Sequence, residues 1–183
     1  SYSMVPPGIT GYETSTFDYS EMSQIDREDE AKKVLGELGY GHDKPLKMEI
    51  RYNTSENHKN TAVAIQEQLK PLGVEVTLLN TDTKTHYGHL EQKGDFDIAR
   101  AGWIADYKDP ETFLGISRKA TSTNYAQYAS DEYEDLMNKA AAAGGTRRLA
   151  RVAAQPHHAR HDVLGETGGG VAGDSDLGVL VDA

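Results

Sequence analysis

The chain has 183 residues, a formal net charge of −10 and no cysteine, with a mean hydropathy of −0.64 and a pI near 5.1. That length suits one domain with a core of its own, and the acidic balance excludes a nucleic-acid or anionic-membrane face, which has to be basic. The missing cysteines exclude thiolate catalysis, cysteine-based zinc sites and disulfides. No stretch approaches the roughly 18 consecutive apolar residues of a membrane span, and residues 1–8 carry neither the basic region nor the apolar core of a signal peptide.

Taken in chain order, Ser23 with Asp26 resembles a capping box and predicts a helix to about Leu38. Its apolar face is Ala31, Val34, Leu35 and Leu38, and Gly39 suits its end. Leu46, Met48, Ile50 and Tyr52 alternate with polar residues and predict a strand. Thr54 or Ser55 caps a helix through about Leu72, with Ala62, Ile65, Leu69 and Leu72 on one side and Pro71-Leu72-Gly73 as its stop. Val74, Val76 and Leu78 mark a second strand, a short helix fits 84–92, and 96–102 is a third strand. Asp109-Pro110-Glu111 is a helix start, with an N-cap, a proline in the first turn and an acid at the dipole's positive end. Ser130-Asp131-Glu132 opens a last helix that turns Tyr133, Leu136, Met137 and Ala140 inward.

The alternation of strand and helix predicts right-handed crossovers and a mainly parallel α/β sheet with helices on both faces. The composition changes near residue 143. Every Lys, Tyr, Phe, Trp, Ile, Met and Asn lies before it, while the 40 residues of 144–183 hold 8 Gly, 3 His and 4 Arg. A segment without large side chains buries little area against its ordering entropy. We therefore expect an α/β part over 1–143 and an atypical tail over 144–183 that is poorly ordered or did not evolve with the rest.

Ligands of open α/β sheets gather at the carboxyl ends of the strands. Two segments fall there: Asn53 to His58 after the first strand, and Arg100 to Tyr107 after the third. Together they offer an arginine, an imidazole (His58), an indole (Trp103) and a carboxylate (Asp106), a set that suits a zwitterionic ligand. Gly102 lets the backbone turn or approach something closely. Pattern alone leaves alternatives open: Trp103 as core, Asp106 as a solvated or capping acid, His58 as a surface residue, and Arg100 paired internally.

Other motifs carry less. Gly168 to Gly173 fits G-x-G-x-x-G without a convincing strand before it or a long helix after it, so it predicts no dinucleotide site. His157, His158 and His161, and separately His86 and His89, have spacings a metal could use but no fixed further ligand, so no metal and no cofactor is expected. No serine nucleophile elbow and no phosphate loop appears.

The stretch Ala99-Arg100-Ala101-Gly102-Trp103-Ile104-Ala105-Asp106-Tyr107 resembles the peptide-binding proteins of bacterial ABC importers, the extracellular solute-binding proteins of family 5, and their oligopeptide-binding members most of all. Support comes from Glu30 to Leu35 with Gly39-Tyr40-Gly41, from Tyr52-Asn53-Thr54-Ser55 with His58-Lys59, from Leu72-Gly73-Val74, and from Asn124 to Tyr128 into Asp131 and Leu136-Met137. The likeness covers residues 1–140.

The resemblance implies an incomplete lobe, of the type II periplasmic-binding-protein kind, from a two-lobed monomer that closes over an oligopeptide. It implies a periplasmic protein that delivers its ligand to ABC importer membrane subunits and catalyses nothing. It implies that Asp106 pairs with the peptide's α-ammonium, that Arg100 and His58 meet its C-terminal carboxylate, and that Trp103 lines the cleft. Related solutes, namely dipeptide, murein peptide, nickel complex or haem, are the alternatives, as is a non-functional truncated fragment. Residues 144–183 do not resemble the family and read like a frame translated out of phase.

Overall fold

In a computed structural model, residues 3–9, 12, 17–143 and 178–182 are described. They divide into two compact units. One holds residues 21–102 and 178–182, and the other holds the described residues before 21 together with 103–143.

The sheet unit follows from its sequence pattern. Helix α1 (Gln24–Glu37) begins at Ser23, whose Oγ accepts from the Asp26 N–H and donates to the Asp26 carboxylate at 2.6 Å. Strand β1 (Leu46–Asn53) leads into α2 (Glu56–Leu69) and a 3₁₀ turn (Lys70–Leu72). Gly73 then reverses the chain at φ 78°, in the left-handed region that glycine enters without strain. Strand β2 (Val74–Thr81) passes to α3 (Thr83–Glu91), which is capped by the Asp82 carboxylate on the Thr85 N–H, and then to β3 (Ile98–Gly102).

All strand pairs are parallel and the strand order is β2-β1-β3-β4, with β4 (Gly178–Asp182) beside β3. The chain therefore moves to one side of β1 through α2 and crosses to the other side through α3. The switch point lies between β1 and β3, where Ile50 stands beside Ile98 and Arg51 beside Ala99.

Alternation along β1 sorts the two faces. Ile50 and Tyr52 bury against Ala62 and Ile65 of α2, with Val76, Leu78 and Ile98 around them. The alternate residues Arg51 and Asn53 are also buried, and Asn53 reaches Thr83 at the start of α3. Helices thus cover both faces of a parallel sheet, as the alternation predicts. On α1 the expected apolar face is only half-buried at Ala31, Val34 and Leu35, and Leu38 is 52% exposed.

The other unit has little regular structure. Helix α4 (Glu111–Leu114) is a single turn that runs into a 3₁₀ turn (Gly115–Ser117), and α5 (Asp131–Ala143) follows an irregular segment. Its core is Val5, Phe113, Leu114, Tyr133, Met137 and Ala140, with Trp103 and Leu136 packed against it. The inward face that the sequence predicts for α5 is therefore the one found. Of the tail, only Gly178–Asp182 is among the described residues, as β4. The glycine motif at 168–173 and His157, His158 and His161 lie outside them, as does the rest of 144–183.

Candidate ligand-binding site

The carboxyl ends of β1 and β3 bring His58 and Arg100 together on Asn53. The last residue of β1, Asn53 is buried, and its Oδ1 accepts from Arg100 Nη1 at 3.4 Å. Its backbone oxygen lies 3.1 Å from His58 Nδ1, so that nitrogen carries the proton and Nε2 remains for another partner. The Tyr87 hydroxyl also accepts from Arg100 Nη1, at 3.0 Å. The guanidinium folds back over its own strand: a Cβ on Gly102 would sit 2.9 Å from Arg100 Nη2. The close approach that Gly102 serves is that of Arg100 itself, and any side chain there displaces the cation.

Beneath this cation the sheet unit is rich in basic and imidazole groups. Arg51 is 5% exposed and its Nε has no hydrogen-bond partner among the described residues. Burial lowers its pKa, against the nearby Glu49 carboxylate, which raises it. His86 is fully buried on α3, with Nε2 2.7 Å from the Arg100 carbonyl oxygen. Burial holds the ring's pKa below the usual imidazole range. The bond to Arg100 opposes that shift, and the charges of Arg51, Arg100 and His58 add to it. His89 Nε2 lies 2.8 Å from the Asp95 carbonyl oxygen, so both histidines of α3 tie down the chain around β3.

Trp103 and Asp106 meet in the other unit, on Thr112. The buried hydroxyl of Thr112 accepts from the Trp103 indole Nε1–H at 3.2 Å and from the Asp106 backbone N–H at 3.2 Å. Trp103 is half-buried, with its inner side on the core and its outer side on an open pocket of about 250 Å³. Asp106, Tyr107, Glu111, Thr112 and Arg118 line the same pocket. The Asp106 side chain is not spent as a cap: it is Asp109 Oδ1 that accepts from the Glu111 N–H, at 3.0 Å. Tyr107 donates to Glu111, which pushes the phenol up to about 12. The pocket thus joins an indole face to exposed carboxylate, a combination that suits a cation.

Sequence reasoning names Arg100, His58, Trp103 and Asp106 as candidates but misses what holds them. It names Asn53 only as the first residue of the segment after the first strand, and it passes over Tyr87 and Thr112. The distinguishing signal for Thr112 is slight: a hydroxyl one residue inside a helix start, six residues from Asp106.

The family model for bacterial extracellular solute-binding proteins, family 5 Middle, matches residues 1–125. This chain belongs to that family. The periplasmic oligopeptide-binding protein OppA of Salmonella typhimurium is 41% identical over 138 residues, which are 75% of this chain and 25% of that protein. Among solved structures, the murein tripeptide binding protein MppA of Escherichia coli superposes with a TM-score of 0.78 at 31% identity, over 87% of this chain and 31% of that one. Haemophilus influenzae OppA in complex with RPPGFSPFR gives 0.72 at 36% identity, over 79% of this chain and 29% of that one. The chain spans about a quarter of the length of the curated relatives it matches. The fold shared with these neighbours is the parallel sheet with helices, and the family is one of solute-binding proteins.

Proposed function

We propose that this chain is part of a periplasmic protein that binds oligopeptides without chemistry and hands them to the membrane subunits of an ABC importer. In this reading Asp106 receives the peptide's α-ammonium beside the indole of Trp103. Arg100, with His58 next to it, receives the C-terminal carboxylate. The ligands of the relatives support the class: one is an oligopeptide-binding protein, and another is solved as a peptide complex.

The observation that carries the reading is the sorting of charge. Arg100 and His58 share Asn53 at the sheet's switch point. Asp106 and Trp103 share Thr112. The first set, within the sheet unit, suits an anion, and the second, within the other unit, suits a cation.

The test is an NMR titration of the chain with a free tripeptide and its N-acetylated twin, followed at the indole N–H of Trp103, the only tryptophan. Asp106 is exposed in this chain, so an ammonium–carboxylate pair there is screened and favours the free peptide by about threefold to fivefold. Asp106→Asn is expected to erase that ratio. Equal binding of the free and acetylated peptides would remove Asp106 from the role.

A further inference from the structure

Helix α3 holds Arg100 at both of its ends, and it does so from two consecutive residues. His86 Nε2 lies 2.7 Å from the Arg100 carbonyl oxygen, and a carbonyl only accepts, so Nε2 carries the proton. The Tyr87 hydroxyl accepts from the Arg100 guanidinium 3.0 Å away, and the two α3 rings pack edge-on with centroids 5.2 Å apart. One helix turn therefore fixes the backbone from which Arg100 springs and the charged group in which it terminates.

His86 is an expensive residue for a purely structural task. It is fully buried, and its Nδ1 has no hydrogen-bond partner among the described residues. A leucine would fill a buried helix position without an orphaned nitrogen. What the imidazole supplies instead is a short bond to the carbonyl of Arg100, near the end of β3. Arg51 on β1, Arg100 on β3 and His58 on α2 all act against a second proton on the ring. The ring thus orients Arg100 as a neutral donor.

We propose that His86 and Tyr87 are positioning residues that fix the guanidinium of Arg100, and so set how strongly this protein prefers a peptide's free C-terminal carboxylate over its amide. The proposal rests on the reading of Arg100 as the carboxylate's partner. Its physical basis is preorganisation: a flexible arginine loses rotamer freedom when it binds, and one already held loses less. His86 acts through Arg100, since its only bonded nitrogen is turned to the Arg100 carbonyl.

The experiment compares binding of trialanine and trialanine amide to the full ¹⁵N-labelled chain, in the wild type and in Tyr87→Phe, His86→Leu, His86→Gln and Arg100→Gln. The wild type is expected to prefer the free acid by about tenfold, the scale of one charge-assisted hydrogen-bonded pair. Tyr87→Phe and His86→Leu each cut that preference by about threefold. His86→Gln restores it, because its amide N–H can reach the same carbonyl. Arg100→Gln abolishes it.

The Arg100 side-chain Nε–H resonance is recorded on the same samples without peptide. It is expected to be sharp in the wild type and in His86→Gln, and exchange-broadened in the other two α3 variants. Full preference in Tyr87→Phe and His86→Leu, with loss only in Arg100→Gln, overturns the proposal and leaves the reading of Arg100 intact. A preference that survives Arg100→Gln, or a wild type without preference, overturns that reading. That outcome also overturns the claim that His86 and Tyr87 set the preference; the Nε–H signal then decides only whether they fix the guanidinium, and an unchanged signal in Tyr87→Phe overturns that too. Tyr87→Phe removes a single oxygen, so the test stands even if His86→Leu fails to fold.

Discussion

In the sheet unit, nearly every residue from Leu46 to Gln92 belongs to a strand, a helix or a cap, and the backbone bonds to itself. In the other unit, the chain from Trp103 to Ser130 contains one helical turn and one 3₁₀ turn, and side chains add to the short turn bonds of its backbone. Asn124 is an example of such bonding, since its Nδ2 donates to the Tyr128 carbonyl at 2.8 Å and its Oδ1 accepts the Tyr128 N–H at 2.9 Å. The loop so closed holds Gln127 at φ 52°. Arg118 ties the segment to α5 through Glu134 at 3.0 Å and Asn138 at 2.6 Å. The difference teaches that regular elements place Arg100 and His58, whereas one core tyrosine and a few hydroxyls place Trp103 and Asp106.

The largest break in that comparison is expected at Tyr133. It is 1% exposed, and its hydroxyl donates to the Leu114 carbonyl at 2.6 Å, so it fills the core and also ends the α4 turn. Tyr133→Ala is expected to destabilise by about 3–5 kcal/mol, as other buried aromatic truncations do, read by urea unfolding followed at Trp103 fluorescence. A loss below about 1 kcal/mol would mean that this core does not hold Trp103.

Next comes Thr112→Val, which keeps the shape and removes the hydroxyl shared by Trp103 and Asp106. Leaving donors unpaired at a buried site costs about 1–3 kcal/mol. The sharper readout is the Trp103 indole proton, expected to move upfield and to exchange faster with water. An indole signal unmoved by the substitution would show that Thr112 does not orient the pocket's aromatic wall.

Gly73→Ala probes the sheet unit. The residue sits at φ 78°, and a Cβ there would stand 3.1 Å from the Gly41 carbonyl carbon, which is backbone and cannot swing away. The left-handed conformation alone costs an L-residue about 1–2 kcal/mol. Thermal unfolding is the check, and a neutral result would mean that the turn into β2 relaxes freely.

These three sites also mark what was legible. Gly73 stands in a pattern that sequence reading catches, an apolar helix face closed by Pro-Leu-Gly before an alternating strand. The same periodicity gives β1, α2, β2, α3, β3 and the inward face of α5. It overstates α1, whose spacing is helical although Leu38 remains 52% exposed, because periodicity reports that a face is apolar and not what covers it. Thr112, Asn124 and Tyr87 carry no such signal, since a side chain's reach across 4 to 13 residues to a particular backbone or guanidinium group leaves no period behind. Of the candidate site, the charged and aromatic candidates could be named because charge and aromatic type are themselves the signal. Their supports were not, because a hydroxyl or amide looks alike whether it bonds to water or to Arg100.

The smallest expected effect is a change of slope, and it is specific to the buried polar face of the sheet unit. Burial keeps the folded-state pKa of His86 below that of an unfolded histidine, so the native state resists a proton that the unfolded state accepts. Both states are neutral at this ring above about pH 6.5, and the full stability is present there. As pH falls from that value toward the depressed folded pKa, the unfolded state binds the proton first and stability declines. Below the folded pKa both states are charged and the slope from this group ends. His86→Gln removes the titrating ring, so its stability is expected to be flatter than the wild type's through the mildly acid range. The difference between the two curves cancels the carboxylates and the other histidines that both chains share. Superimposable slopes would mean that His86 takes up its proton as easily folded as unfolded, and that the ring is not sealed between Arg51 and Arg100.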